Sequence, residues 1–332
     1  MKIAIIGAGA IGSVIAACLT KAGQEICLIG RQDQVSAIEN NGLTVKGVRQ
    51  LPNIKLKALT RLDQQYDLVI FTVKTQDIED AYRANRQNLD GGMVLTTQNG
   101  VQADNILSGH FDRDRMMSSI VMFGATFVQP SEVTMNFEGD WILGKPFGPN
   151  DPMVSQVAEI LRKTFNIVVV NDIMGMKWVK LFVNFNNCIP ALIGKSMQET
   201  FSDLDFCRLS VLLLKEGIGI VEKAGIQMVS LPQFPKERIT GLASMPVDQG
   251  AQIINKTLTG LSKEPLFGSI LQSIMRKRTS EIDFINGEVA QMASHYKLPA
   301  PLNRRVVDMV HEVETTGEFF KPSDVKAKFN LG

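Results

Sequence analysis

Two sets of residues in this 332-residue chain have the types and spacing to do chemistry. Gly7, Gly9 and Gly12 stand as G-x-G-x-x-G. In such a run the first glycine allows a tight turn. The second, having no Cβ, lets a pyrophosphate approach the backbone, and the third lets a helix pack closely on a strand. The phosphates rest on free N–H groups at a helix N-terminus, where the macrodipole favours negative charge. Gly7, Ala8, Gly9, Ala10, Ile11 and Gly12 are therefore the predicted dinucleotide cradle. Arg31 follows Gly30 where an Asp or Glu usually holds the ribose hydroxyls of NAD. A guanidinium there binds a 2′-phosphate through paired charge-assisted bonds worth about 1.5–3 kcal/mol. The cofactor expected is NADPH. The alternative for Arg31 is a solvated surface residue.

The second set lies in the other half of the chain. Lys180, Asn184 and Asn187 fall at i, i+4 and i+7, on one helix face. Trp178, Leu181, Phe182 and Phe185 fill the other faces as core. A solvated lysine on an amphipathic helix is the alternative reading of Lys180. Convergence with two amides favours a binding site.

These groups must be held by regular elements. Residues 2–6 read as a buried strand, a helix follows to about residue 21, and residues 25–29 read as a second strand. That βαβ unit is the setting the glycine fingerprint requires. A short helix is predicted at 35–41 and strands at 43–45, 54–58, 66–73 and 93–97. Ligands in open α/β sheets sit beyond the C-terminal strand ends. Lys74, after the 66–73 strand, and Asn99, after the 93–97 strand, thus reach the same rim as Gly7. Their alternative is a role as turn residues. Asp77 stands where it can cap the next helix. Strands at 116–123, 131–136, 140–143 and 167–170 extend the sheet, some antiparallel, with a helix at 153–164. From about Ile173 the pattern turns helical. Pro190 lacks an N–H and ends or kinks the helix begun at 176. Helices are predicted at 207–224, 269–278, 280–292 and 301–315. Residues 228–252, with three prolines, read as an irregular loop. The fold class is α/β: a Rossmann-type dinucleotide-binding domain over 1–173, then an all-helical substrate and catalytic domain over 174–332.

The composition excludes several classes. Net charge is +1 and 45% of residues are apolar, which gives no nucleic-acid stripe and no polybasic membrane patch. Four cysteines form no CxxC and three scattered histidines form no metal set. The start of the chain has no signal-peptide pattern and no apolar run is long enough to span a bilayer. A cytoplasmic protein is expected, monomeric or homodimeric, with neither nucleic-acid nor membrane partners.

On these residues the chain resembles the ketopantoate reductase (2-dehydropantoate 2-reductase) family. The likeness rests on GAGAIG at 7–12, Arg31, the Lys74 strand end, QNG at 98–100, W-x-K-L-x-x-N at 178–184 and S-E-I-D-F-I-N-G at 280–287. The resemblance implies NADPH-dependent reduction of a 2-keto acid to a 2-hydroxy acid on the route to pantothenate. It also implies a cofactor lying in a cleft between a Rossmann and a helical domain. It makes Lys180 the catalytic lysine that protonates the forming alkoxide, and Glu281 the carboxylate that holds the substrate hydroxyl. Asn99 then positions nicotinamide and substrate, Asn184 and Ser269 bind substrate, and Lys74 lies near the cofactor phosphates. A surface pair with Arg278 is the alternative for Glu281.

Three positions depart from the family pattern. Cys188 stands where an asparagine is usual, with Asn187 one place earlier. Ser273 stands for an aspartate, and Ser280 for a threonine. The changes touch substrate contacts, and a site built to bond one hydroxyl is redirected by changing its polar groups. Reduction of another 2-oxo acid or an imine is therefore one alternative. A non-catalytic NADPH-binding sensor is another.

Overall fold

The computed structural model describes residues 1–262 and 264–331. The chain divides into two compact units, Met1–Met174 and Gly175–Gly332.

The first unit begins with β1 (Lys2–Ile6), α1 (Ala10–Lys21), β2 (Glu25–Ile29) and α2 (Gln32–Asn41). It continues through β3 (Leu43–Gly47), β4 (Leu51–Ile54), β5 (Lys57–Leu59), β6 (Leu68–Phe71), α3 (Ile78–Asn85), β7 (Met93–Thr96) and α4 (Gln102–Ser108). The remaining elements are β8 (Met116–Val121), β9 (Gly124–Gln129), β10 (Glu132–Phe137), β11 (Trp141–Gly144), α5 (Pro152–Leu161) and β12 (Ile167–Val169). Eight strands form one sheet in the order β12-β11-β8-β7-β6-β1-β2-β5. All its pairs are parallel except β8 with β11. β1 explains why its sequence is almost wholly apolar. Ile3 and Ile5 enter the core on one face of the sheet, and Ala4 and Ile6 the core on the other.

A second sheet, ordered β4-β3-β10-β9, corrects two expectations. The strand expected at 54–58 is two strands in different sheets, β4 and β5. The strand expected at 131–136 does not extend the main sheet; as β10 it pairs parallel with β3 and antiparallel with β9. α1 packs against β1 and β2 and also against all four strands of this second sheet. Its residues from Gly12 to Leu19 are consequently all buried. A helix apolar all round needs cover on both sides, and here two sheets supply it.

The second unit is helical: α6 (Ile173–Asn184), α7 (Cys188–Ile193), α8 (Met197–Phe201), α9 (Leu204–Lys223), α10 (Glu237–Ser244), α11 (Val247–Thr259), α12 (Ser269–Met275), α13 (Asn286–His295), α14 (Pro301–Thr316) and α15 (Pro322–Lys328). α9 is the central element, with α8, α10, α11, α13 and α14 packed around it. Gly217 of α9 admits Phe182 and Phe185, whose rings lie 2.9 Å from where its Cβ would stand.

Two helical expectations change. Residues 228–252 hold α10 and the start of α11, not an irregular loop. Pro235 and Pro246 stand just before these helices, where a missing N–H costs nothing. The helix expected at 280–292 is a 3₁₀ turn at Ile282–Phe284 followed by α13. Pro190 breaks the long helix through a 3₁₀ turn at Phe185–Asn187 and lies in the first turn of α7. No described helix is long and apolar enough to cross a membrane.

Candidate functional site

The cradle is built by sterics that each glycine makes possible. Gly7 leaves β1 at φ +126°, a conformation side-chained residues rarely adopt. Gly12 is pressed against the turn, since a Cβ there would lie 2.0 Å from the Gly7 carbonyl oxygen and 2.4 Å from Thr72 Oγ1. Gly9 differs: a Cβ there would meet nothing within 4 Å, so the space above its backbone is open. A close turn, a tight helix entry and an open middle glycine fit a bound pyrophosphate on the N-terminus of α1.

Buried side chains fix this loop. Thr72 Oγ1 donates to the Gly7 carbonyl at 2.8 Å, linking the ends of β1 and β6. Gln34 Nε2 donates to the Ala8 carbonyl at 2.7 Å, while Gln34 Oε1 accepts from Arg31 N at 3.0 Å. Gln34 thereby makes α2 begin at Gln32 rather than at the predicted 35. A glutamine three residues into a helix is a known capping signal, and it was readable here. Gln98 Nε2 donates to the carbonyls of Phe71 and Val73 at 2.9 Å each, stapling the ends of β6 and β7 together.

On this frame the predicted residues of the first unit take their places. Arg31 occupies the N-cap position of α2 without a side-chain capping bond, its side chain exposed and its Nε 3.4 Å from Asp33. Lys74 precedes a 3₁₀ turn at Thr75–Asp77, and Asp77 N donates to its carbonyl at 2.9 Å. Asp77 makes no side-chain capping bond to α3, contrary to expectation. Asn99 follows Gln98 and precedes Gly100, whose φ is +81°. The strands β1, β6 and β7 are neighbours, so Gly7, Lys74 and Asn99 lie along one edge of the sheet.

In the second unit, Lys180 and Asn184 are one turn apart on α6. Lys180 is half-buried, and desolvation lowers its ammonium from the usual lysine range to about 8. Asn187 leaves their helical stripe because the 3₁₀ turn after Asn184 changes the period. Its Oδ1 faces the entry of α12 and would lie 2.7 Å from a Cβ on Gly268. Ser269, the first residue of α12, thus stands beside Asn187. Ser273 Oγ donates to the Ser269 carbonyl at 2.9 Å. Cys188 is fully buried and donates to the Phe185 carbonyl at 3.0 Å. Burial pushes its thiol up to about 12, so it is an inert core group. Glu281 enters from the turn before Ile282, only 8% exposed, on a segment packed against α13 and α14.

Residues 3–147 match the family model described as ketopantoate reductase PanE/ApbA, and residues 172–314 match that of its C-terminal domain. The chain belongs to the ketopantoate reductase family. Members of this family are oxidoreductases acting on a CH–OH group. The 2-dehydropantoate 2-reductase of Pyrococcus horikoshii is 30% identical over 322 residues, covering 96% of this chain and 99% of that protein. The Pyrococcus abyssi protein of the same name is 29% identical, covering 91% of this chain and 94% of its own. In fold, the chain is similar to D-mandelate dehydrogenase in a ternary structure with NADH and anilino(oxo)acetate. The TM-score is 0.82, with 21% identity and coverage of 95% of this chain and 99% of that one. A PanE/ApbA family ketopantoate reductase from Ralstonia eutropha JMP134 gives TM-score 0.79, 24% identity and the same coverage. Ketopantoate reductase architecture thus accounts for both units.

Proposed function

We propose that this chain reduces the 2-keto group of ketopantoate to the hydroxyl of pantoate, with NADPH as reductant and Lys180 as the general acid. The observation that carries this reading is the half-buried Lys180 ammonium, lowered by desolvation to about 8 and one turn from Asn184. An acid poised near the working pH is still protonated at neutrality and releases its proton readily.

The open backbone over Gly9 and the free N–H groups of the loop to Gly12 suit the cofactor pyrophosphate. Arg31 is assigned to the 2′-phosphate, and Lys74 and Asn99 to the rest of the cofactor along the same sheet edge. When bound, the reduced nicotinamide supplies the hydride that reaches the keto carbon. Negative charge then grows on the keto oxygen. Lys180 Nζ stabilises that charge and gives the oxygen its proton. Asn184 and Ser269 orient the acid through polar contacts. Glu281 accepts a hydrogen bond from the substrate hydroxyl. Asn99 also orients the substrate, so cofactor binding belongs mainly to the first unit and proton supply to the second.

A second reading keeps this chemistry and changes the substrate or the cofactor. It is favoured by Cys188, turned into the core, and by Ser273, where the family pattern has amide and carboxylate groups. The fold likeness to an NADH-bound D-mandelate dehydrogenase points the same way. Steady-state rates with NADPH and NADH against ketopantoate and neighbouring 2-keto acids separate the two. The proposal requires ketopantoate with NADPH to give the highest kcat/KM. A higher value for an aromatic 2-keto acid replaces ketopantoate with that class.

A further inference from the structure

α14 grips the turn that carries Glu281 at two points. On one side of Glu281, Ser280 N donates to Glu314 Oε1 at 2.7 Å. On the other side, Asp283 Oδ1 lies 2.9 Å from His311 Nε2. The grip is continuous, because His311 Nδ1 lies 3.1 Å from Glu314 Oε2. Within the turn, Ile282 N donates to Ser280 Oγ at 3.2 Å. The segment is a single 3₁₀ turn, with Phe284 N donating to the Glu281 carbonyl at 3.0 Å and Ile285 N to that of Ile282 at 3.2 Å. Short 3₁₀ pieces have poor internal geometry and rely on outside contacts for their placement.

An imidazole between two carboxylates satisfies both only when each ring nitrogen carries a proton. Burial works against the charged ring, but Asp283 and Glu314 outweigh it and hold His311 above the usual histidine range. Glu314 is itself largely buried, its side chain 11% exposed, so it is a fixed anchor rather than a swinging surface acid. The Asp283–His311 contact is partly exposed, at 44% and 40%, so the buried Glu314 end anchors the network.

We propose that His311 is a positioning residue for Glu281: by bridging Asp283 and Glu314 it fixes the turn on both sides of that carboxylate. The proposal rests on the reading above that Glu281 holds the substrate hydroxyl. His311 touches no reacting group and acts through the Glu281 backbone.

The test combines amide exchange with a double-mutant cycle on the full chain. His311→Ala is expected to speed exchange of the amides at 280–284 at least tenfold. Protection in α9 is unchanged and reports that the variant is folded. KM for the keto acid is expected to rise about fivefold, the equivalent of one hydrogen bond, with KM for the cofactor unchanged. His311→Gln, which keeps one donor toward Asp283, recovers part of the loss. In a Glu281→Gln background, His311→Ala adds nothing further, as coupled residues require. Unchanged exchange at 280–284, or a full additional loss in the Glu281→Gln background, overturns the proposal. A Glu281→Gln variant with wild-type kcat and KM overturns instead the substrate role of Glu281 on which it rests.

Discussion

The side-chain amide of Gln34 donates to the carbonyl of Ala8 at 2.7 Å. The same side chain accepts from the Arg31 backbone at 3.0 Å. One buried glutamine thus couples the phosphate loop to the residue assigned to the 2′-phosphate. Gln34→Leu leaves the Ala8 carbonyl and the Arg31 N–H without these partners. Loss of a buried hydrogen-bond partner costs about 1–3 kcal/mol. We expect a lower Tm and a raised KM for the cofactor, with KM for the keto acid nearly unchanged. Thermal unfolding and steady-state kinetics measure the two effects.

Gly12→Ala tests the steric basis of the cradle. The new methyl would stand 2.0 Å from a backbone oxygen, with α1 held between two sheets and unable to retreat. Overpacking at such a site costs about 1–3 kcal/mol. The expected result is loss of cofactor binding by titration calorimetry in a protein that is still folded by circular dichroism. Gly9→Ala has open space around it and should fold normally while weakening the cofactor.

Arg31→Ala separates the two nicotinamide cofactors. Its side chain is exposed and bears no load in the fold beyond a contact with Asp33 at 3.4 Å. Removing a charge-assisted contact to a phosphate raises KM for NADPH by about ten- to a hundredfold. KM for NADH is expected to stay within a factor of about two, because NADH lacks that phosphate. Equal effects on both cofactors would remove Arg31 from 2′-phosphate recognition.

With Lys180 as the proposed acid, its pKa is expected to set the pH dependence. Desolvation favours the neutral amine, and the acid form exists below about 8. The proposed reduction uses that acid form. kcat/KM is therefore level at lower pH and falls about tenfold per unit above the Lys180 pKa. A profile of kcat/KM against pH, read on the alkaline side, checks the sign and the midpoint. An alkaline limb only above pH 10, the ordinary lysine range, would contradict the lowered Lys180 pKa.

Much of this was legible in the chain itself, and the gaps have physical causes. β1, α1 and β2 follow from an apolar run, spaced glycines and a helix stop. Lys74 and Asn99 could be assigned to one edge because parallel strands point their ends the same way. The second sheet was not legible. β9 and β10 are six residues each, and nothing in a strand's own pattern says which sheet it joins. Counting an unbroken helix puts Asn187 on the Lys180 face. The chain instead restarts its helix at Cys188, which puts Pro190 where no N–H is needed. The prolines near α10 and α11 misled for the related reason that proline marks a helix start as readily as a loop. The Gln34 contact with Ala8 and the His311 contact with Asp283 span 26 and 28 positions of sequence, and only folding creates them.

Lys180 is proposed to supply the proton as ketopantoate is reduced. The most direct test is the kcat of NADPH oxidation with saturating ketopantoate for the wild-type chain and for Lys180→Ala. The account requires turnover by the wild type and a fall of about 10²–10⁴ in kcat for the variant, with cofactor affinity retained. An alanine variant that turns over at the wild-type rate would contradict it, as would a wild-type protein that binds NADPH and leaves ketopantoate unreduced.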